Sequence, residues 1–347
     1  MPGAMKSTGQ PTINDVARIA GVSKKTVSRV INRSPLLNED TRSKVEAVIR
    51  EMGYVPHPQA RSLALRRSFL IGLVHDNPNA QMVLNVQAGI LEAIRDTEFE
   101  LIVRPVDRGS ATMIEDVRNF LERQRLFGVM LLPPISENDD LAKVCDEIGC
   151  RYVRMGSAKL DDDAHMVASN DREAVMEAVR HLIDNGHTRI GFIAGPNGFR
   201  SARERREGFE AALEEAKIKL PRSMIAQGNY RFESGVAAAD RLLDLTPRPT
   251  AIFASNDEMA AGALHAARQR GLTVPDQLSL VGFDDTAIAA HIWPPLTTVR
   301  WPIISMARSA ALKLLAGTPD ADDGASEPSL FLSTLIRRAS VAAAPKA

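Results

Sequence analysis

From Phe69 onward the chain alternates short β-branched or apolar runs with amphipathic stretches, and that alternation constrains its fold more than any other feature. The runs are FLIGLV (69–74), ELIVRPV (100–106), GVMLLP (128–133), RYVRMG (151–156), RIGFIAG (189–195), AIFASN (251–256) and LSLVGFD (278–284). Strands separated by helices of this length pair in parallel through right-handed βαβ units. The stretch is about twice as long as one doubly wound sheet needs, so two α/β lobes are expected. A ligand between such lobes faces the carboxyl ends of strands.

Residues 12–53 carry a helical pattern instead. Thr12 and Asp15 make a variant capping box, with Ile13, Val16, Ala17 and Ala20 following at helical spacing. Gly21 ends that helix and Ser23 can cap a second. In the second helix Val27, Val30 and Ile31 share one face and Lys24, Lys25, Ser28 and Arg29 the other. A third helix is predicted from about Asn38 to Met52, with Val45, Val48, Ile49 and Met52 inward and Gly53 closing it. Two short helices joined by a Gly-containing turn form a helix-turn-helix, whose second helix enters the major groove of DNA. Such a helix needs donors on one face and aliphatics on the other, and this one has both. An ordinary surface helix is the competing reading.

Charge points the same way. Lys plus Arg equals Asp plus Glu at 43 each, but residues 1–69 hold 12 basic against 5 acidic residues and the remainder 31 against 38. A basic module on an acidic body suits a polyanionic partner, although a solvated basic face has the same composition. Cys145 and Cys150 are too few for a disulfide framework or a metal site. There is no run of 18 apolar residues, and MPGAMKSTGQ lacks the apolar stretch of a signal peptide. A cytoplasmic protein with no membrane contact and no cofactor is expected.

The stretch TINDVARIAGVSKKTVSRVIN, with TRSKVEAVIREMGYVPHPQARSL after it, resembles the headpiece of the LacI/GalR family of bacterial regulators. The match runs over some sixty residues almost without gaps. It implies base reading by Lys24 and Lys25, and DNA contact by Arg29. It implies phosphate contacts from Asn32 and Thr41. Thr12, Ser23, Thr26 and Ser28 complete the expected DNA-facing set. The resemblance also implies a hinge helix in the linker 58–68, with Leu63 as a wedge into the minor groove, a known way to unstack a base step. Spacing alone would pack Leu63 against the chain itself. The sequence departs from the family at His57-Pro58, where proline narrows the unfolded ensemble of the hinge.

The segments HLIDNGHTRIGFIAGP, SARERREGF, AIFASND, VGFDD and PPLTTVR are similar to the family's effector core, which is related in fold to periplasmic sugar-binding proteins. That implies two doubly wound lobes joined by three crossovers: an N-lobe of 69–169 plus 300–327 and a C-lobe of 170–299 plus 328–338. Residues 1–10 and 339–347 read as loose tails. A polyhydroxyl ligand calls for charged groups that make paired hydrogen bonds and an aromatic face. Candidates are Asp76 after the first strand, Arg205 in SARERREG, Tyr230 ending MIAQGNY, Asn256 ending AIFASN and Asp284 ending LSLVGFD. The resemblance favours Arg205 and Asp284 as ligand-holding residues. The bland readings are that Asn256, Asp257 and Asp171 cap helices, that Tyr230 is core, and that Arg205 pairs with Glu204 or Glu207. Two departures bear on the cleft: the family's Asp-Asn is reversed as Asn170-Asp171, and its glutamine after PPLTTVR is Trp301.

The expected protein is therefore a helix-turn-helix headpiece at 11–57 on a two-lobe α/β core. It would be a homodimer binding near-palindromic operator DNA under control of a small molecule, a sugar by expectation. A solute-binding protein of the same core would lack the headpiece. An enzyme would need a nucleophile–base pair, metal cluster or phosphate loop, and the sequence shows none.

Overall fold

The computed structural model describes residues 11–31, 37–54, 68–77, 79–318 and 327–345. These fall into two compact units, one ending at Phe69 and one beginning at Leu70. Asn32, Leu63 and the hinge positions 58–67 lie outside the described residues.

The first unit contains α1 (Ile13–Ala20), α2 (Lys24–Ile31) and α3 (Glu39–Met52). The expected capping box at α1 forms: the Asp15 amide donates to the Thr12 hydroxyl at 3.4 Å, and the Thr12 amide donates to the Asp15 carboxylate at 3.1 Å. Gly21 closes α1 at φ 64°, the left-handed conformation that L side chains resist and the tight turn into α2 requires. Ser23 caps α2 by accepting from the Thr26 amide at 3.1 Å. Val16, Ala20, Val27 and Val45 are wholly buried and hold the three helices together. Each buried valine contributes on the order of 1.5–3 kcal/mol.

The second unit is built on two six-stranded sheets. The first has order β11-β5-β4-β3-β1-β2 and the second β12-β10-β9-β8-β6-β7. The strands of the first are β1 (Leu70–His75), β2 (Glu100–Pro105), β3 (Gly128–Leu131), β4 (Arg151–Gly156), β5 (Met166–Ser169) and β11 (Leu330–Phe331). Those of the second are β6 (Ile190–Ala194), β7 (Ile225–Gln227), β8 (Ala251–Ala254), β9 (Ser279–Asp284), β10 (Thr297–Arg300) and β12 (Thr334–Ile336). All pairings are parallel except β10 with β12. The flanking helices, in chain order, are α4 (Ala80–Ile94), α5 (Met113–Gln124), α6 (Asp139–Ile148), α7 (Asp171–Asp184), α8 (Arg200–Glu215), α9 (Phe232–Leu243), α10 (Asp257–Gln269), α11 (Ala287–His291) and α12 (Ile303–Leu315). Close helix contacts rest on glycine: a Cβ on Gly235 of α9 would stand 2.4 Å from the Met259 carbonyl of α10.

The chain crosses between lobes three times, after β5, after β10 and between β11 and β12. The crossovers bond to one another. The Asn170 side chain accepts from the Ser333 amide at 2.7 Å, and the Trp301 indole donates to the Ser169 hydroxyl at 2.9 Å. Two boundaries differ from the sequence expectation. Residues 328–338 do not all join the second lobe, because Leu330–Phe331 pair with Ala168–Ser169 of the first sheet. Residues 339–345 are not a loose tail. Ser340 is buried, its carbonyl accepts from the Leu280 amide at 2.8 Å, and the Ala344 amide donates to Asn185 at 2.8 Å. The apolar run gave no periodicity to read, but its backbone satisfies the open flank of β9.

Candidate functional sites: a basic helix face and an interlobe cleft

In the first unit, α2 buries Val27 and Val30 and leaves Lys24, Lys25 and Arg29 exposed. Its eight residues hold three cations and no acid. Ser28, Thr26 and, on α3, Thr41 are half-buried. Ser23 and Thr26 hydroxyls lie 2.9 Å apart, and the Thr12 hydroxyl donates to Asp15 at 2.7 Å. These three shape the helix starts, while the exposed cations supply long donors on a helix whose other face is apolar. That division is what a groove-inserted helix needs.

In the second unit the carboxyl ends of β6, β8 and β9 converge on a cavity between the lobes. It is lined from one side by Asn77, Asn79 and Ser157 and from the other by Arg205, Tyr230, Asn256 and Asp284, with Phe199, Ser201 and Trp301 closing it. The free space within it is about 40 Å³, enough for a few waters. Arg205, on the second turn of α8, is at its centre. Its Nε donates to Asp171 at 2.9 Å, its Nη1 to the Ser255 carbonyl at 2.6 Å, and Asp284 lies 3.5 Å from Nη1. Its guanidinium carbon sits 3.6 Å over the Phe283 ring. Burial opposes the charge on Arg205, but Asp171, Tyr230 and Asp284 outweigh it and keep the group firmly protonated.

Asp284 and Asp285 adopt positive φ, 111° and 54°. Asp tolerates the left-handed region that Asp285 occupies, but the 111° at Asp284 lies outside it, so surrounding bonds must hold the turn. Asp285 accepts from Arg300 at 2.7 Å and Arg338 at 2.6 Å, and Asp257 accepts from the Thr286 amide at 2.7 Å and the Thr298 hydroxyl at 2.5 Å. The turn is thereby fixed with the Asp284 carboxylate at the cavity wall. Burial pushes that carboxyl up to about 8, against the pull of Arg205, and the Asp257 carboxyl up to about 7. Tyr230, also at positive φ (68°), bonds Ser201 through its hydroxyl at 3.0 Å and meets Phe199 edge-on.

The structure brings Arg205, Tyr230, Asn256 and Asp284 together. Tyr230 lies three residues past the end of β7 rather than ending a strand. Asn256 caps α10, accepting from the Met259 amide at 3.0 Å, and also donates to the Tyr230 carbonyl at 2.9 Å. Asp76 stands 3.4 Å from Arg108, and its neighbours Asn77 and Asn79 line the cavity instead. Glu204 and Glu207 pair with Arg172, leaving Arg205 to Asp171, which the sequence offered only as a cap. Ser201 could have been found, because it precedes Arg205 by four residues on the same helical face. Ser157 carried no such signal.

Comparison with known proteins decides the family. Residues 12–57 match the model for bacterial regulatory proteins of the lacI family, and 179–341 match a periplasmic binding protein-like domain. The PurR transcriptional repressor of Escherichia coli is 37% identical over 319 residues, covering 88% of this chain and 89% of its own. The transcriptional regulator CelR of Thermobifida fusca is 34% identical over 319 residues, covering 90% and 93%. The chain belongs to the LacI family.

Solved structures agree with that LacI-family placement over both units. The lac repressor dimer, bound to operator and an anti-inducer, matches with a TM-score of 0.80 at 28% identity, covering 96% of this chain and all of that one. The CelR–cellobiose complex matches at 0.69 and 31% identity, covering 95% and 99%. This LacI-family chain is a DNA-binding transcription regulator with a helix-turn-helix headpiece and a two-lobe periplasmic-binding-protein-like core. Its relatives are regulators, not enzymes. Among the described residues no helix is long and apolar enough to cross a membrane.

Proposed function

We propose that this regulator represses transcription as a homodimer on near-palindromic operator DNA, and that a small carbohydrate held between the lobes sets its grip. The observation that carries the reading is the cavity. A guanidinium, a carboxylate and an amide converge at strand ends beside aromatic rings, on a chain whose α2 presents Lys24, Lys25 and Arg29 to solvent. Lys24, Lys25 and Arg29 read bases, with Asn32, Thr41 and the half-buried hydroxyls of Thr26 and Ser28 toward phosphates and Leu63 as the minor-groove wedge. One headpiece covers only a few base pairs, and two-fold symmetry doubles the site. Leu84 and Leu91, seven residues apart on α4, and Ile304 on α12 leave apolar surface exposed that a second copy would cover. The lac repressor dimer on its operator and the CelR complex with cellobiose support both halves of the proposal.

The small cavity suggests how the two activities couple. Ligand pockets enclose roughly 300–1,000 Å³, so a sugar enters the 40 Å³ space only when the lobes move. Differential binding to the two arrangements would then shift operator affinity by roughly 1–3 kcal/mol, reciprocally. The test is selection of duplexes from a randomised pool by the full chain, followed by titration of the selected site with and without a panel of sugars. Recovery of symmetric half-sites whose binding a sugar alters is the expected result. Failure to enrich any sequence, or enrichment with no effect of any small molecule, would refute it.

A further inference from the structure

Of the side chains lining the cavity, Arg205 carries a full charge near neutral pH, while burial holds Asp284 toward its protonated form. Arg205 is already answered from behind: Asp171 is wholly buried and takes its Nε at 2.9 Å, and Asp284 stands 3.5 Å from Nη1. The Arg205 charge is therefore met by a buried acid before any ligand arrives. The next cations outward are engaged too. Arg108 lies 3.4 Å from Asp76 and stacks over Phe199 at 4.3 Å, and Arg200 is ion-paired at 3.5 Å with Glu204, although its buried Nε makes no hydrogen bond among the described residues. What remains open to a ligand is neutral. The Ser157 hydroxyl is buried at the cavity wall without a hydrogen-bond partner among the described residues. Arg205 Nη2 likewise has no hydrogen bond to any described residue. Trp301, 7% exposed, offers its ring at the wall while its indole N–H is spent on Ser169.

We infer that this cleft takes an uncharged polyhydroxyl ring, and that Asp171 sets this choice by neutralising Arg205 and so excluding carboxylated or phosphorylated ligands. The inference rests on the reading of the cleft as the effector site and narrows it. An anion brought here meets a guanidinium already compensated by Asp171 and leaves bulk water for a site whose remaining groups offer it no further positive charge, so its lost hydration is poorly repaid. Whether Asp284 holds its proton or not, the site has no net positive charge. A neutral ring loses far less on leaving water. Its hydroxyls can meet Ser157, Arg205 Nη2 and Asp284, and its apolar face can meet an aromatic wall.

The experiment uses the full chain and matched probes in calorimetry and thermal shift: D-glucose, D-galactose and cellobiose against D-glucuronate, D-galacturonate and glucose 6-phosphate. At least one uncharged probe is expected to bind, with its charged counterpart weaker by roughly 100-fold or more. Asp171→Asn should narrow that gap by roughly tenfold or more. If that variant does not fold, Asn77→Lys, which adds a cation to the cavity wall, is expected to narrow the gap likewise. A charged counterpart that binds the parent as tightly as the uncharged one would overturn the inference, as would an unchanged ratio in the variant that folds. Silence of every probe, with operator binding intact, would overturn the carbohydrate assignment and leave the DNA-binding reading standing.

Discussion

Arg205→Ala is expected to weaken the body of the protein as well as its cleft. The guanidinium is 3% exposed and Asp171 0% exposed, so truncation strands a buried carboxylate with only the Ser169 hydroxyl, at 2.5 Å, as partner. Breaking one side of a buried ion pair costs about 3–5 kcal/mol. The orphaned Ser255 carbonyl and the vacated face of Phe283 act in the same direction. A body of this size has a total stability on the order of 5–15 kcal/mol, so the variant should fold but unfold at distinctly lower urea. Both tryptophans, Trp293 and Trp301, lie in the second unit, so fluorescence reports that unit alone. The decisive companion is Arg205→Met with Asp171→Asn. Removing both charges should regain at least half of the loss, because the unpaired charge is the main cost. Operator binding without effector should survive wherever the body stays folded. A loss below about 1 kcal/mol for Arg205→Ala, or a double variant no more stable than the single, would refute the argument and return Arg205 to a role in ligand binding only.

Three other outcomes are expected. Lys25→Ala and Arg29→Ala should each weaken specific operator binding by about 1–3 kcal/mol, read by fluorescence anisotropy, without changing the unfolding of the body. Gly235→Ala should cost roughly 1–3 kcal/mol in urea unfolding, because its methyl would meet the Met259 backbone at 2.4 Å and force α9 from α10. His187 is wholly buried, against Thr250 at 2.9 Å and the Ala342 carbonyl at 3.0 Å, and burial holds its pKa below the ordinary 6.5. The unfolded chain therefore takes up a proton first: the contribution of His187 is complete above pH 6.5 and is lost as pH falls below it. Comparing unfolding at neutral and mildly acidic pH for the parent and His187→Asn should show a shallower decline in the variant.

The architecture was legible because the two periodicities it depends on are both strong. All seven strand runs read from the sequence appear in the sheets, and all three headpiece helices form. β7 was read within MIAQGNY, with its end placed three residues too late, and the strands that escaped notice, β5, β10, β11 and β12, are two to four residues long, too short for any alternation to register. In the cleft, residues at the ends of long elements were found. Arg205 and Asp284 belong to an amphipathic helix and an apolar strand whose limits are plain. Asp171 was not read as the partner of Arg205, because they are 34 residues apart and only the packing of α7 on α8 brings them together. Ser157 depends similarly on the closing of one lobe on the other, whereas Trp301 was already marked for the cleft by its place after PPLTTVR.

The docking of residues 339–345 on β9 makes the second lobe discontinuous along the chain. Its strands between 190 and 300 are sealed by Thr334–Ile336 on β10 and by Ser340 and Ala342 against Leu280 and His187, a segment that arrives only after a visit to the other lobe. Residues 190–300 cut out as a separate piece would therefore keep an open edge at β10 and an unsatisfied flank on β9. The headpiece core, by contrast, draws on nothing beyond Tyr54 among the described residues. A cleavage within 334–345 would unseal the regulatory body while sparing every residue of the headpiece.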